Sequence, residues 1–286
     1  MKLRCLSFAV AALLAGASFT ARAQVYRPEA DDHQHPHPAP LRGPEPAAAQ
    51  PTPSALATVS YTLYTKKSEL YAEFKPLIVG KASRFTAHLT KLGSSFQAYT
   101  AGQVTVTLQV GGQTVKAVAA APEAPGIFRF QLQPTQAGTG SLVVDIVTKE
   151  FTDQFTIPNV VVYADEAAAR QQPQNEEAGD ISFIKEKAWA LPDFATQPLG
   201  RGTIKKGQNV LPNVLVLPLT AFVNVDGFPH VYVQRTGERF QLRQVQAGRG
   251  DGQQVQITGG VQEGERVVIG GAQAILRASP PAEHTH

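Results

Sequence analysis

In "VTVTLQVGG", residues 104–112, apolar and polar side chains alternate without a break and then give way to two glycines. Neighbouring side chains of an extended strand point to opposite faces, so this spacing gathers Val104, Val106, Leu108 and Val110 on one side; a helix would scatter them around its circumference. Gly111-Gly112 supplies the positive φ angles of a two-residue hairpin turn. The same texture recurs in "ELYAEFK", where Leu70, Ala72 and Phe74 oppose Glu69, Tyr71 and Glu73. It recurs again in "RFTAHLTK", where Phe85, Ala87 and Leu89 oppose Thr86, His88 and Thr90. "FRFQLQ", with Phe128, Phe130 and Leu132, "SLVVDIV", "FTDQFTI" and "NVVVY" follow, separated by Gly, Pro and Asp. Short alternating runs at this interval, with no long helical pattern, predict an immunoglobulin-like β-sandwich over 58–164.

A second alternating block, "VLVLPL", "HVYVQR", "RFQLRQVQAG", "QVQIT" and "RVVIGG", is broken by the turns "NVDGFP", "GRGDGQ" and "GGVQEGE". It predicts a small β-barrel or half-barrel over 200–277, so the expected fold class is all-β throughout. Between the two blocks, 165–180 is polar and interrupted by Pro173, which suits a linker, and 181–199 is a connecting segment. Residues 24–57 are rich in Pro, Ala and His with few large apolar side chains; such a leader cannot bury enough surface to offset ordering its backbone. Residues 278–286 form a tail.

The first 23 residues carry a basic start at Lys2 and Arg4, an apolar run from Leu6 to Phe19, and the small-x-small sequence Ala21-Arg22-Ala23. These are the parts of a secretory signal peptide cleaved after Ala23, which predicts a periplasmic protein. Cys5 precedes the apolar run, where it cannot become a lipid-modified N-terminus. Cleavage would remove Cys5, Met1 and three basic residues, leaving 23 basic against 23 acidic side chains. A mature chain so balanced has no electrostatic bias toward nucleic acid, and without a thiol it has neither a disulfide framework nor a cysteine nucleophile.

His33, His35 and His37 alternate just after Asp31 and Asp32. Imidazoles at alternate positions of a flexible chain can converge on one ion, and with carboxylates they suit Zn, Ni, Co or Cu(II). His284 and His286 repeat the spacing at the other end. His88 stands among threonines on the polar side of its strand, with no second ligand at metal spacing, and belongs to the strand's solvated face. "GRGDG" (248–252) lacks the following helix that would aim a dipole at phosphate, and is expected to be a hairpin turn. No catalytic triad, paired carboxylate or zincin spacing occurs, so no enzyme and no required cofactor are expected.

"YTLYTKKSELYAEFKPLIVGKASRFTAHLTKL" resembles the N-terminal β domain of CusB/CzcB-type, HlyD-related periplasmic adaptors (membrane fusion proteins) of heavy-metal RND efflux pumps. "ISFIKEKAWAL", with its Phe-x-Lys-Glu and Trp, is similar to the segment entering their central domain. From Val214 to Leu276, a Pro-x-x-Ala strand, V-Y-V, F-x-x-R-x-V-x-x-G and a final G-E-x-V-V-x-x-G-A look like their membrane-proximal β domain. The resemblance implies a non-catalytic component of heavy-metal export that docks on the pump's periplasmic face or on a full-length adaptor, with Pro218, Phe222, Arg235, Phe240 and Arg249 as contact residues. It departs from the family in one respect: about a dozen residues separate "ALPDFATQPLG" from "VLVLPL", where full adaptors insert lipoyl halves and a long helical hairpin. The alternative is a periplasmic metal-binding or delivery protein that uses its His-rich ends.

Overall fold

The alternating runs become strands with most of their apolar residues turned inward. The computed structural model describes residues 55–93, 96–171 and 180–278, and the leader and tail histidines, with Asp31 and Asp32, lie outside them. The first half comprises β1 (Val59–Tyr64), β2 (Ser68–Phe74), β3 (Leu77–Ile78), β4 (Ser83–Lys91), β5 (Gln97–Ala98), β6 (Gln103–Val110), β7 (Gln113–Ala119), β8 (Ile127–Leu132), β9 (Gly138–Val147) and β10 (Thr152–Tyr163). One sheet runs β1-β2-β4 with β5 and β8 both on the far side of β4, and the facing sheet runs β3-β10-β9-β6-β7. Leu70, Phe85, Leu89, Val104, Val106, Phe128, Leu142 and Val144 fill the space between them, making this half a β-sandwich. The β6–β7 hairpin turns at Gly111 and Gly112, both at positive φ, as the sequence requires. In β10 the register shifts between Pro158 and Val160, and this bulge returns Val160 and Val162 to the inward side already held by Phe155 and Ile157.

The sandwich does not end where the polar composition begins. Asp165 accepts the Ala168 N–H at 2.8 Å and caps a short helix, α1 (Glu166–Arg170), whose Glu166 pairs with Lys81 at 2.7 Å. The expected linker therefore starts with an ordered turn, because an N-cap aspartate followed by a run of alanines favours helix despite its polarity.

The second half comprises β11 (Ile181–Ser182), α2 (Lys185–Trp189), β12 (Ala195–Pro198), β13 (Gly200–Lys206), β14 (Asn209–Pro218), a 3-10 turn (Leu219–Ala221), β15 (Val223–Val225), β16 (Phe228–Thr236), β17 (Arg239–Gln244), β18 (Gln246–Gly250), β19 (Gln254–Gly259), β20 (Arg266–Gly270) and α3 (Ala272–Ala278). One sheet runs β11-β17-β16-β20-β12, with β15 also paired to β16; the other runs β13-β14-β19-β18. The strands of 181–199 are thus integral to this half: β11 pairs with β17 and β12 with β20. The segment expected to be a mere connection contributes edge strands, which are too short for alternation to reveal. "GRGDG" closes the β18–β19 hairpin, where the Asp251 carboxylate accepts the N–H groups of Gln253 and Gln254. The chain is all-β with half-barrel sheets in its C-terminal part, and α3, at 7 residues, is its longest helix among the described residues. No helix there is long and apolar enough to cross a membrane.

Candidate functional site

The outward side chains of β2 and β4 meet the second half of the chain. Register places Glu69 opposite Thr90, Tyr71 opposite His88, and Glu73 opposite Thr86. Alternation marks this face as polar, yet Glu69 is 0% exposed and His88 7%. It is covered by α2 and by the β16–β17 turn. Lys185, 1% exposed, reaches across from α2 and places Nζ 2.5 Å from Glu69 Oε1, which also accepts from Gln234 Nε2 at 3.1 Å. Burial pushes the Lys185 ammonium below the usual lysine range, and the Glu69 carboxylate opposes that shift. Among the described residues, Gln234 Oε1 is buried without a hydrogen-bond partner.

Further contacts extend the seam. Trp189 Nε1 donates to Thr90 Oγ1 at 3.0 Å, and the Gly237 N–H donates to Thr62 Oγ1 at 2.8 Å. Ile184, at the start of α2, offers no side-chain cap, and Glu238 Oε1 instead accepts the Lys185 N–H at 2.8 Å. Desolvation raises the Glu238 carboxyl, while this N–H and His88 lower it. The His88 ring lies 5.4 Å from that of Tyr71 and 6.4 Å from that of Trp189, with Nε2 3.5 Å from Glu73 Oε2. His88 is therefore not on a solvated face: it packs inside the seam.

An aromatic strip lies alongside. Phe96 leaves the sandwich to pack on Phe194 at 5.0 Å, and Phe183 and Phe240 complete the cluster. Lys185 Nζ is 4.8 Å from the centre of the Phe96 ring. Close approach is built into the backbone: a Cβ on Gly126 would lie 2.3 Å from the Trp189 ring, and one on Gly237 would lie 2.4 Å from Tyr71.

Of the residues expected to contact a partner, Arg235 and Arg249 are exposed and Pro218 and Phe222 are half-buried. Phe240 is 1% exposed and belongs to the aromatic cluster, so it is a core residue and presents no contact surface. Its alternation with half-buried Leu242 on β17 was the available signal. The seam residues Glu69, Lys185, Gln234 and Glu238 escaped expectation because their partners are remote in sequence. The one clue was that Glu69 and Lys185 fall in the two segments that resemble adaptor motifs.

The seam joins two sheets through one buried charge pair, hydrogen bonds and packed aromatic rings. Among the described residues no three His, Cys, Asp or Glu side chains stand where they could hold a metal ion. In comparison with known protein families, residues 215–275 fit the family described as the CzcB C-terminal circularly permuted SH3-like domain. The matched stretch runs from within β14 into α3, so β11, α2, β12 and β13 precede it. No curated protein and no solved structure matches the chain.

Proposed function

We propose that the chain is a non-catalytic, periplasmic adaptor-like component of an RND-type heavy-metal efflux system, docking through its C-terminal half on the pump or on a full-length adaptor. The observation that carries this reading is the match of residues 215–275 to the C-terminal domain of CzcB-type adaptors. The architecture supports it. The matched strands are held to the sandwich by a buried seam, as suits a part that transmits position and performs no chemistry. The chain passes from β12 to β13 through Leu199 alone, so the described residues contain no helical hairpin to reach an outer-membrane channel. The protein is in this reading a shortened adaptor that works on the pump side. Pro218, Phe222, Arg235 and Arg249 are the proposed contacts, all at least partly accessible.

A photo-crosslinking residue placed at Arg235 or Arg249 in cells tests this directly. Capture of an RND pump subunit or of a full-length adaptor is the expected result. Crosslinks to an outer-membrane channel alone would overturn it.

A further inference from the structure

Beside the seam, between β12 and the end of the sandwich, lies a cleft of about 610 Å³. One side of it is a strand edge. Among the described residues β12 pairs with β20 and with no other strand, and Ala195, Thr196 and Pro198 line the cleft. An unpaired edge is a template for another chain, and proteins usually protect it. Here the opposite wall of the cleft comes from the sandwich end, through Tyr64, Thr65, Leu92 and Phe96.

The recess also has a charge preference. Lys66, exposed and without an ion pair among the described residues, stands at its rim. The Arg266 guanidinium lies 3.9 Å from the centre of the Tyr64 ring and donates to the Thr196 carbonyl and hydroxyl at 2.9 and 3.1 Å, which fixes it at the strand edge. Tyr64 and Phe96 supply apolar walls, and no acidic residue lines the cleft. Two cations, aromatic walls and a free strand edge are the parts used where a peptide joins a sheet: main-chain hydrogen bonds hold it, and alternate side chains are selected by pockets. Pro198, with no N–H to give, ends the ladder on that side.

We propose that this cleft binds an extended acidic peptide segment of a partner protein, added as a strand to the free edge of β12 with its carboxylates toward Lys66 and Arg266. The site is separate from the surface proposed for pump docking and does not rest on that reading.

The test uses the full chain and a short fluorescent peptide of alternating Val and Glu, with two controls. One replaces Glu by Lys; the other keeps Glu but is N-methylated at alternate backbone nitrogens, which blocks strand pairing and leaves the charges. Fluorescence anisotropy should rise with the Val-Glu peptide and with neither control, and amide exchange should slow at residues 195–197. Lys66→Glu, at an exposed position, should leave the melting temperature unchanged and weaken binding by about tenfold or more. Failure of the Val-Glu peptide to bind, or affinity unchanged by Lys66→Glu, would overturn the proposal. Equal binding of the N-methylated peptide would overturn it too, by marking a site for small anions instead.

Discussion

The two faces of the β1-β2-β4 sheet are buried to similar depth and are chemically opposite. Toward the sandwich core, Leu70, Ala72, Phe85, Ala87 and Leu89 are all 0% exposed and wholly apolar. Toward the C-terminal half, Glu69 and Thr90 are also 0% exposed, yet they carry a charge and a hydroxyl. The apolar face is held by non-directional burial, which tolerates any well-filled shape. The polar face is held by partners that must each be in place, since a buried polar group left unpaired costs more than its hydrogen bond contributes. A sandwich core makes a domain. A polar seam fixes which surface meets which, and in what register.

The difference can be broken from either side. Phe85→Asp puts an unpaired charge into the apolar face and should cost ~5 kcal/mol or more, enough to abolish cooperative unfolding of the sandwich in a urea titration. Lys185→Ala strands the Glu69 carboxylate without its cation and should cost ~3–5 kcal/mol. Combining Lys185→Met with Glu69→Gln should recover most of that loss, because the pair is costly to break but replaceable by neutral groups of similar shape; no recovery would mean that the seam depends on packing alone. His88→Ala removes a ring packed between Tyr71 and Trp189 and should cost ~1–3 kcal/mol by thermal melting. A solvated histidine would cost nothing measurable.

The smallest effect concerns pH. Hydrogen bonding to His88, aided by Tyr71, holds the Glu73 carboxyl below its usual range against the desolvation that would raise it. A depressed carboxyl contributes stability that is complete above its unfolded value and fades as pH falls through the folded one. Glu73→Gln should therefore flatten the acid side of the stability profile, below about pH 4.5. Glu238 acts in the opposite sense. Desolvation raises its carboxyl, so the folded state binds the proton more tightly, and its contribution is lost as pH rises through that raised value. Glu238→Gln should accordingly remove a stability loss at higher pH.

The apolar face was legible residue by residue. Alternation placed Phe85 and Leu89 inward, marked the Gly111-Gly112 turn, and gave the all-β class. The polar face was not legible, because period two says which residues share a side and leaves open what covers that side. A threonine-histidine-threonine row ordinarily meets water; here it meets Trp189 and Glu238, and the Lys185 that pairs with Glu69 is 116 residues away. Phe240 illustrates the converse. It was expected at a surface because it stands in an adaptor-like motif, and its ring is spent on Phe183 and Phe194. The edge strands Ile181–Ser182 and Ala195–Pro198 were missed because they are too short to carry a period.

The chain's sole tryptophan, Trp189, sits in the seam with its indole bonded to Thr90, and so reports from the contact itself. Thermal unfolding followed by its fluorescence and by far-UV circular dichroism tests whether the sandwich and the C-terminal half stand and fall together. Coincident, single transitions are expected, shifting together to lower temperature in Lys185→Ala. A tryptophan transition that precedes the loss of β-structure in the native chain would show that the seam opens while both halves remain folded, and would contradict the coupling.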